Sequence, residues 1–314
     1  MIEIGTQVIT LVDIKGSDGR TVRPRGSIGM VVEAVSGYSN MYKVDFPDGG
    51  ESLLRRQEIE VRRSHAEVDQ DTRSPWLNQY DLFHYSIYRC TLSLKTYNID
   101  EEETDAQDYG IYLPPAEAQW SLYGVPDLLE DRDEKVNYWE LQSFLVQALK
   151  AVPEALECLF TTDVEKATPL AQTLRDMRQS FLSKLLYKSI ENIAVAEYRL
   201  LQRKVGARGT LHWRQGMYLI RLLLMGARSL RENTLVLDLS DEEDRLLAVR
   251  YGEMTWTEYD EWRKELLSGL ECAQQETALP EKPDYHAANE FLIQARLSRV
   301  PRQSEEEESF EDED

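Results

Sequence analysis

The chain has little cysteine and spreads it thinly. Cys90, Cys158 and Cys272 are odd in number and far apart, which excludes a disulfide framework and a Cys-x-x-Cys zinc site. Its four histidines are too scattered to form a recognisable metal site. The chain contains no Gly-x-Gly-x-x-Gly, no P-loop, no Gly-x-Ser-x-Gly and no His-Glu-x-x-His, so the common dinucleotide, NTPase, hydrolase and zinc-protease signatures are missing. No apolar run approaches the roughly 18 residues of a membrane span, and the N-terminus lacks a basic-then-apolar leader. These absences predict a soluble cytoplasmic protein with no membrane partner.

What is present is acid. The formal charge is −21 over 314 residues, against a hydrophobic share of 42% that is enough for an ordinary core. The charge is uneven. Residues 1–64 hold nine basic and nine acidic side chains, whereas residues 301–314 hold eight acids and only Arg302. Such a tail buries too little apolar surface to fold, and it reads as a disordered segment serving solubility, or else partner binding or nucleic-acid mimicry. A net acidic chain repels nucleic acid at long range, so any such contact needs a local basic face.

The composition divides the chain into five parts. Residues 1–64 read as a small β-barrel. Val8–Val12, Gly29–Val35, Met41–Phe46, Ser52–Leu54 and Ile59–Val61 are short β-rich runs separated by Gly- and Asp-containing turns. Their order, with Arg25-Gly26-Ser27-Ile28-Gly29 before a valine-rich strand, resembles SH3-like barrels of the KOW type, which often bind nucleic acid or protein. Arg20, Arg23, Arg25, Arg55, Arg56, Arg62 and Arg63 are candidates for one basic partner-binding face. Scattered solvated arginines are the competing account. Residues 65–79 read as a linker. Residues 80–160 mix short strands, at Gly110–Leu113 and Val136–Trp139, with a strand or strand–helix junction over Leu82–Leu94 and a helix from Glu140. Residues 161–300 are helical by periodicity, through Leu170–Leu185, Ile190–Leu201, Gly216–Leu230 and Trp256–Cys272. Asp241–Arg250 adds a short helix for which Ser240 is the expected N-cap. The fold class is α+β: a barrel, a mixed sheet with helices, a helical C-terminal region and the acidic tail.

The segment Tyr97–Pro115 carries the chemistry. Phosphoryl transfer from a nucleoside triphosphate needs divalent ions held by carboxylates, and Asp-x-Asp on a strand points two of them at one site. Here the second position is Gln107. Further on come Phe181-Leu182-Ser183-Lys184, Met217 with Leu219–Gly226, Leu246–Glu253, and Leu279–Asp284 followed by Asn289. With these blocks in this order, the chain from about Tyr85 to Arg299 resembles the nucleotidyltransferases of the DNA polymerase β superfamily associated with RNA repair.

The resemblance implies roles for particular residues. The triphosphate-holding Gly-Ser pair falls on Ser93-Leu94, or on Leu92-Ser93 with a one-residue shift, with Lys95 close by; the glycine is missing. The first metal aspartate matches Asp105. The second falls on Gln107, unless a bulge turns Asp108 inward. The third aligns with Lys135, whose charge opposes Mg²⁺, while adjacent Glu134 faces the other way. Arg214, beside His212, and Arg221 are implied phosphate contacts; Arg221 pairing with a buried carboxylate such as Glu197 is the alternative. Lys184 and Arg250 share that ambiguity. Trp120, Trp139, Trp213 and Trp256 read as packing groups.

Two functions follow. In one, the fold has lost metal-dependent catalysis and serves as a protein- or nucleic-acid-binding partner or scaffold. In the other, a Mg²⁺-dependent nucleotidyltransferase adds a nucleotide to an RNA end or a protein through Asp105 and Asp108.

Overall fold

A computed structural model describes residues 2, 6–16, 21–34, 41–46, 50–61, 79–100, 106–131, 136–208 and 213–300. The 65–77 stretch of the linker, the acidic tail, Arg20, Arg62, Arg63, Asp105, Glu134, Lys135 and His212 lie outside them.

The N-terminal strands are β1 (Gln7–Thr10), β2 (Ile14–Lys15), β3 (Thr21–Arg23), β4 (Ile28–Ala34), β5 (Met41–Asp45), β6 (Glu51–Arg55) and β7 (Ile59–Val61). Five of them form an antiparallel sheet in the order β6-β5-β4-β1-β7, and β2 pairs with β3. The alternation Met41-Tyr42-Lys43-Val44 sends Tyr42 and Val44 inward, where they join Val8, Val31, Phe46, Leu54 and Ile59 in a separate small core. The arginines of this module are not all extended into solvent. Arg23 lies over the Phe46 ring at 4.5 Å, while Arg25, Arg55 and Arg56 are exposed, Arg56 Nη1 donating to the Ile59 carbonyl at 2.9 Å.

The second sheet has the order β10-β11-β9-β8-β12 and comprises β8 (Ser86–Leu92), β9 (Gln107–Tyr112), β10 (Leu128–Asp131), β11 (Val136–Glu140) and β12 (Val164–Ala167). β9 and β11 run parallel; the other pairs are antiparallel. Gly110 allows the closest approach across the parallel pair, because a Cβ there would sit 2.1 Å from Tyr138 Cδ1. Since β12 pairs with β8, the sheet continues past residue 160. Over Leu82–Leu94, expected as a strand or a strand–helix junction, a 3-10 turn at Leu82–Tyr85 leads into β8.

The helices are α1 (Ala116–Trp120), α2 (Leu141–Leu149), α3 (Pro153–Phe160), α4 (Pro169–Asp176), α5 (Leu185–Arg208), α6 (Trp213–Glu232), α7 (Glu243–Tyr251), α8 (Trp256–Glu276) and α9 (Tyr285–Leu297). A single hydrophobic cluster runs from Ile87 to Ala295, so sheet and helices share one core. Two local expectations are corrected. The periodic run Leu170–Leu185 is broken after Asp176, because Lys184 N bonds the Pro280 carbonyl at 2.9 Å and Asp284 N bonds the Ser180 carbonyl at 2.8 Å. Ser240 does not cap α7: its hydroxyl and amide both donate to Asp238 Oδ1, within a turn that precedes the helix. No described helix is long and apolar enough to cross a membrane.

Candidate functional site

A cavity of about 180 Å³ opens between β9, the 3-10 turn Leu94–Tyr97, α3, α6 and α7. Strand period two decides what β9 shows it. Gln107 and Tyr109 line the cavity, and Tyr109 stacks on Trp139 of β11 with ring centroids 5.1 Å apart. The register from Tyr88 to Leu92 is continuous, pairing Thr91 with Asp108 and Leu92 with Gln107, so no bulge turns Asp108 inward. Its carboxylate accepts instead from Thr91 Oγ1 at 2.6 Å and lies 3.3 Å from Arg89 Nη2, on the other side of the sheet from Gln107.

The opposite wall comes from α6. Arg214, Met217, Tyr218 and Arg221 stand at i, i+3, i+4 and i+7, one stripe of the helix, and all four line the cavity. Arg221 is buried and donates from Nη1 to Glu157 Oε1 at 2.8 Å, so it does pair with a buried carboxylate, and that carboxylate is Glu157 instead of Glu197. Glu197 instead accepts from Gln215 Nε2. The Arg221 guanidinium also lies over the Tyr97 ring at 3.9 Å and faces Tyr218 at 5.1 Å. Burial alone disfavours its charge, but Glu157 together with Tyr97 and Tyr218 outweighs that and keeps the pKa above the usual range. Burial likewise pushes the Tyr97, Tyr109 and Tyr218 hydroxyls up, so these rings enter as neutral donors. Tyr218 Oη donates to Glu154 Oε1 at 3.0 Å.

Ser93 is buried and lines the cavity, its amide bonded to Thr96 Oγ1 at 3.0 Å, and Arg250 of α7 is also buried and lines it. The structure therefore brings together Ser93, Gln107, Arg214, Arg221 and Arg250. It does not bring in Lys95, which is exposed on the 3-10 turn, nor Lys184, which pairs with Glu281.

Sequence reasoning missed Glu154, Glu157 and Tyr97. The two glutamates are three residues apart on α3, a spacing that puts both on one helix face. Nothing in that spacing identifies which distant helix they meet. The arrangement is a small polar cleft with three guanidiniums, two carboxylates and three aromatic hydroxyls. It suits a ligand combining phosphate with a flat ring.

No curated protein and no solved structure matches the chain. Residues 79–294 match the family described as the RNA repair pathway DNA polymerase beta family. The match begins just before β8 and ends within α9, so it takes in the sheet, the cleft and the helical wall. The chain belongs to this family and carries its polymerase β-type nucleotidyltransferase core.

Proposed function

We propose that this family member keeps the cleft as a binding site but has lost metal-dependent nucleotidyl transfer, and acts as a protein- or nucleic-acid-binding scaffold. One observation carries the reading. Where the resemblance expects a second metal carboxylate, the cleft face of β9 presents the neutral Gln107 amide, and the adjacent Asp108 is engaged on the far side. The described donors do not fit a pair of Mg²⁺ ions. Glu154 and Glu157, the acids that line the cleft, are held by Tyr218 and Arg221, and an octahedral Mg²⁺ site tolerates few missing oxygens. Among the described residues no three His, Cys, Asp or Glu side chains gather as metal ligands.

A second reading, active Mg²⁺-dependent transfer to an RNA end or a protein, is favoured by the arginines along the cleft, which suit a triphosphate. Calorimetry separates the two. ATP titrated into the full chain with and without Mg²⁺ is expected to bind equally in both conditions and to bind Asp105→Ala as well as the parent. Tight binding that requires Mg²⁺ and is abolished by Asp105→Ala overturns the scaffold reading.

A further inference from the structure

β10 is the last strand at one end of the second sheet, and its hydrogen bonding decides what it shows to the outside. It pairs antiparallel with β11, Leu128 against Trp139 and Glu130 against Asn137, and Glu140 N donates to the Asp127 carbonyl at 2.9 Å. In an antiparallel ladder alternate residues turn both main-chain groups toward the partner. Asp127 and Leu129 therefore direct theirs to β11, while the amides and carbonyls of Leu128 and Glu130 point away from the sheet. Among the described residues nothing bonds them there. Both side chains are exposed and, two places apart, lie on one face.

The connection that leads into β10 is apolar where connections are ordinarily polar. Ser121–Gly124 is a turn, with Gly124 N bonded to the Ser121 carbonyl at 3.2 Å and to Ser121 Oγ at 3.1 Å. Its corners are Leu122 and Tyr123, not the Asn, Asp, Gly or Pro that turns favour. Leu122 is 89% exposed, and Trp120 at the end of α1 is 64% exposed. The backbone beneath them is fixed. Ser121 Oγ donates to the Ala118 carbonyl at 3.0 Å, Val125 packs against the cluster of Tyr112, Leu129 and Tyr138, and Asp127 Oδ1 accepts from Ser143 Oγ at 2.7 Å. An apolar ridge on an anchored backbone has little ordering left to lose on docking.

Charge selects the occupant. From residue 117 to residue 135 the sequence holds six acidic residues and two basic ones. A second copy would set this acidic edge against itself, the acidic tail carries the same sign, and an anionic bilayer is repelled as well. An extended segment with an apolar side chain opposite Leu128 and Lys or Arg opposite Glu130 is complementary at both positions.

We propose that the edge of β10 and the Trp120–Tyr123 ridge form a docking site for an extended, basic and apolar segment of a partner protein, which adds to the five-stranded sheet as a further strand. None of these residues lines the cleft, so the site stands whether or not the cleft transfers nucleotides.

Fluorescence anisotropy of the fluorescein-labelled peptide Thr-Ile-Thr-Lys-Thr-Ile-Thr, amidated at its C-terminus, against the full chain tests this. Ile and Lys stand two apart in either direction, so one probe serves parallel and antiparallel addition. Saturable binding is expected, and replacing the peptide lysine with glutamate should weaken it about fivefold. Glu130→Lys should reverse that order. Strand addition uses one edge of the peptide. N-methylating one alternate set of its amides, Thr or Ile and Lys, should abolish binding, and methylating the other set should leave it within about threefold. Trp120→Ser combined with Leu122→Ser should weaken binding about tenfold. All three substituted positions are exposed, and each variant should keep the parent's urea midpoint, which separates a lost docking site from a misfolded chain. No saturable binding, equal loss from both methylated sets, lysine and glutamate peptides bound alike, or a dimer of the chain that competes with the peptide overturns the proposal.

Discussion

Arg221 and Glu157 are among the most buried charged groups described, with side-chain exposures of 8% and 2%. Two ions at that depth are retained because each compensates the other's desolvation, so removing one leaves a stranded charge. Glu157→Ala is expected to cost about 3–5 kcal/mol, read as a lower urea midpoint at unchanged slope. The sequence showed Arg221 as a polar residue on an apolar helix, and it showed Gln107 where a carboxylate was awaited. It did not show that Arg221 meets Glu157. The partner comes from α3, sixty-four positions away, and helical periodicity describes only neighbours within a few turns.

Elements were legible in proportion to how one-sided their burial is. α6 and α8 announce themselves by recurrent apolar residues, and both were expected close to where they lie. β12 was not visible, since Val164-Glu165-Lys166-Ala167 is a largely exposed edge strand with no alternation to detect. The break after α4 was hidden for a different reason. Residues 180–184, beyond the end of α4, exchange backbone hydrogen bonds with residues 280–284, a tertiary contact that overrides local propensity. That contact joins Phe181–Lys184 to Leu279–Asp284, two of the sequence blocks on which the family resemblance rested. Between β9 and β11 the fit is tight enough to test. Gly110→Ala places a methyl in the space of the Tyr138 ring, and it is expected to lower stability by about 1–3 kcal/mol, measured by thermal or urea denaturation.

For the molecule as a whole, the barrel was legible in its short strands and turns. The joint between the barrel and the helical core was not, because it assembles from α2, α9 and the ends of β4 and β5, which no local pattern links. Across it, Lys282 pairs with Glu51, which also pairs with Lys43. Global stability has an acid limb that can be assigned. Burial acts to raise the Asp260 pKa, but hydrogen bonds from Lys264, Tyr198 and Arg263 outweigh it and hold the group at about 2, below its ordinary 3.8. A depressed folded-state pKa means this contribution is complete above about pH 4 and is lost as pH falls toward 2. Asp260→Asn is expected to reduce the stability difference between pH 4.5 and pH 2.5 in urea denaturation, leaving a shallower acid decline.

The alternation along β9 has a consequence for how this protein's history can run. A strand shifted by one place to bring Asp108 into the cleft would carry Tyr109 and Ile111 out of their packing at the same time. A second carboxylate for the cleft therefore cannot be borrowed from next door by any small adjustment of the backbone. On the scaffold reading proposed above, a second carboxylate would have to come from a codon change at a position such as 107 and not from a slip of the strand.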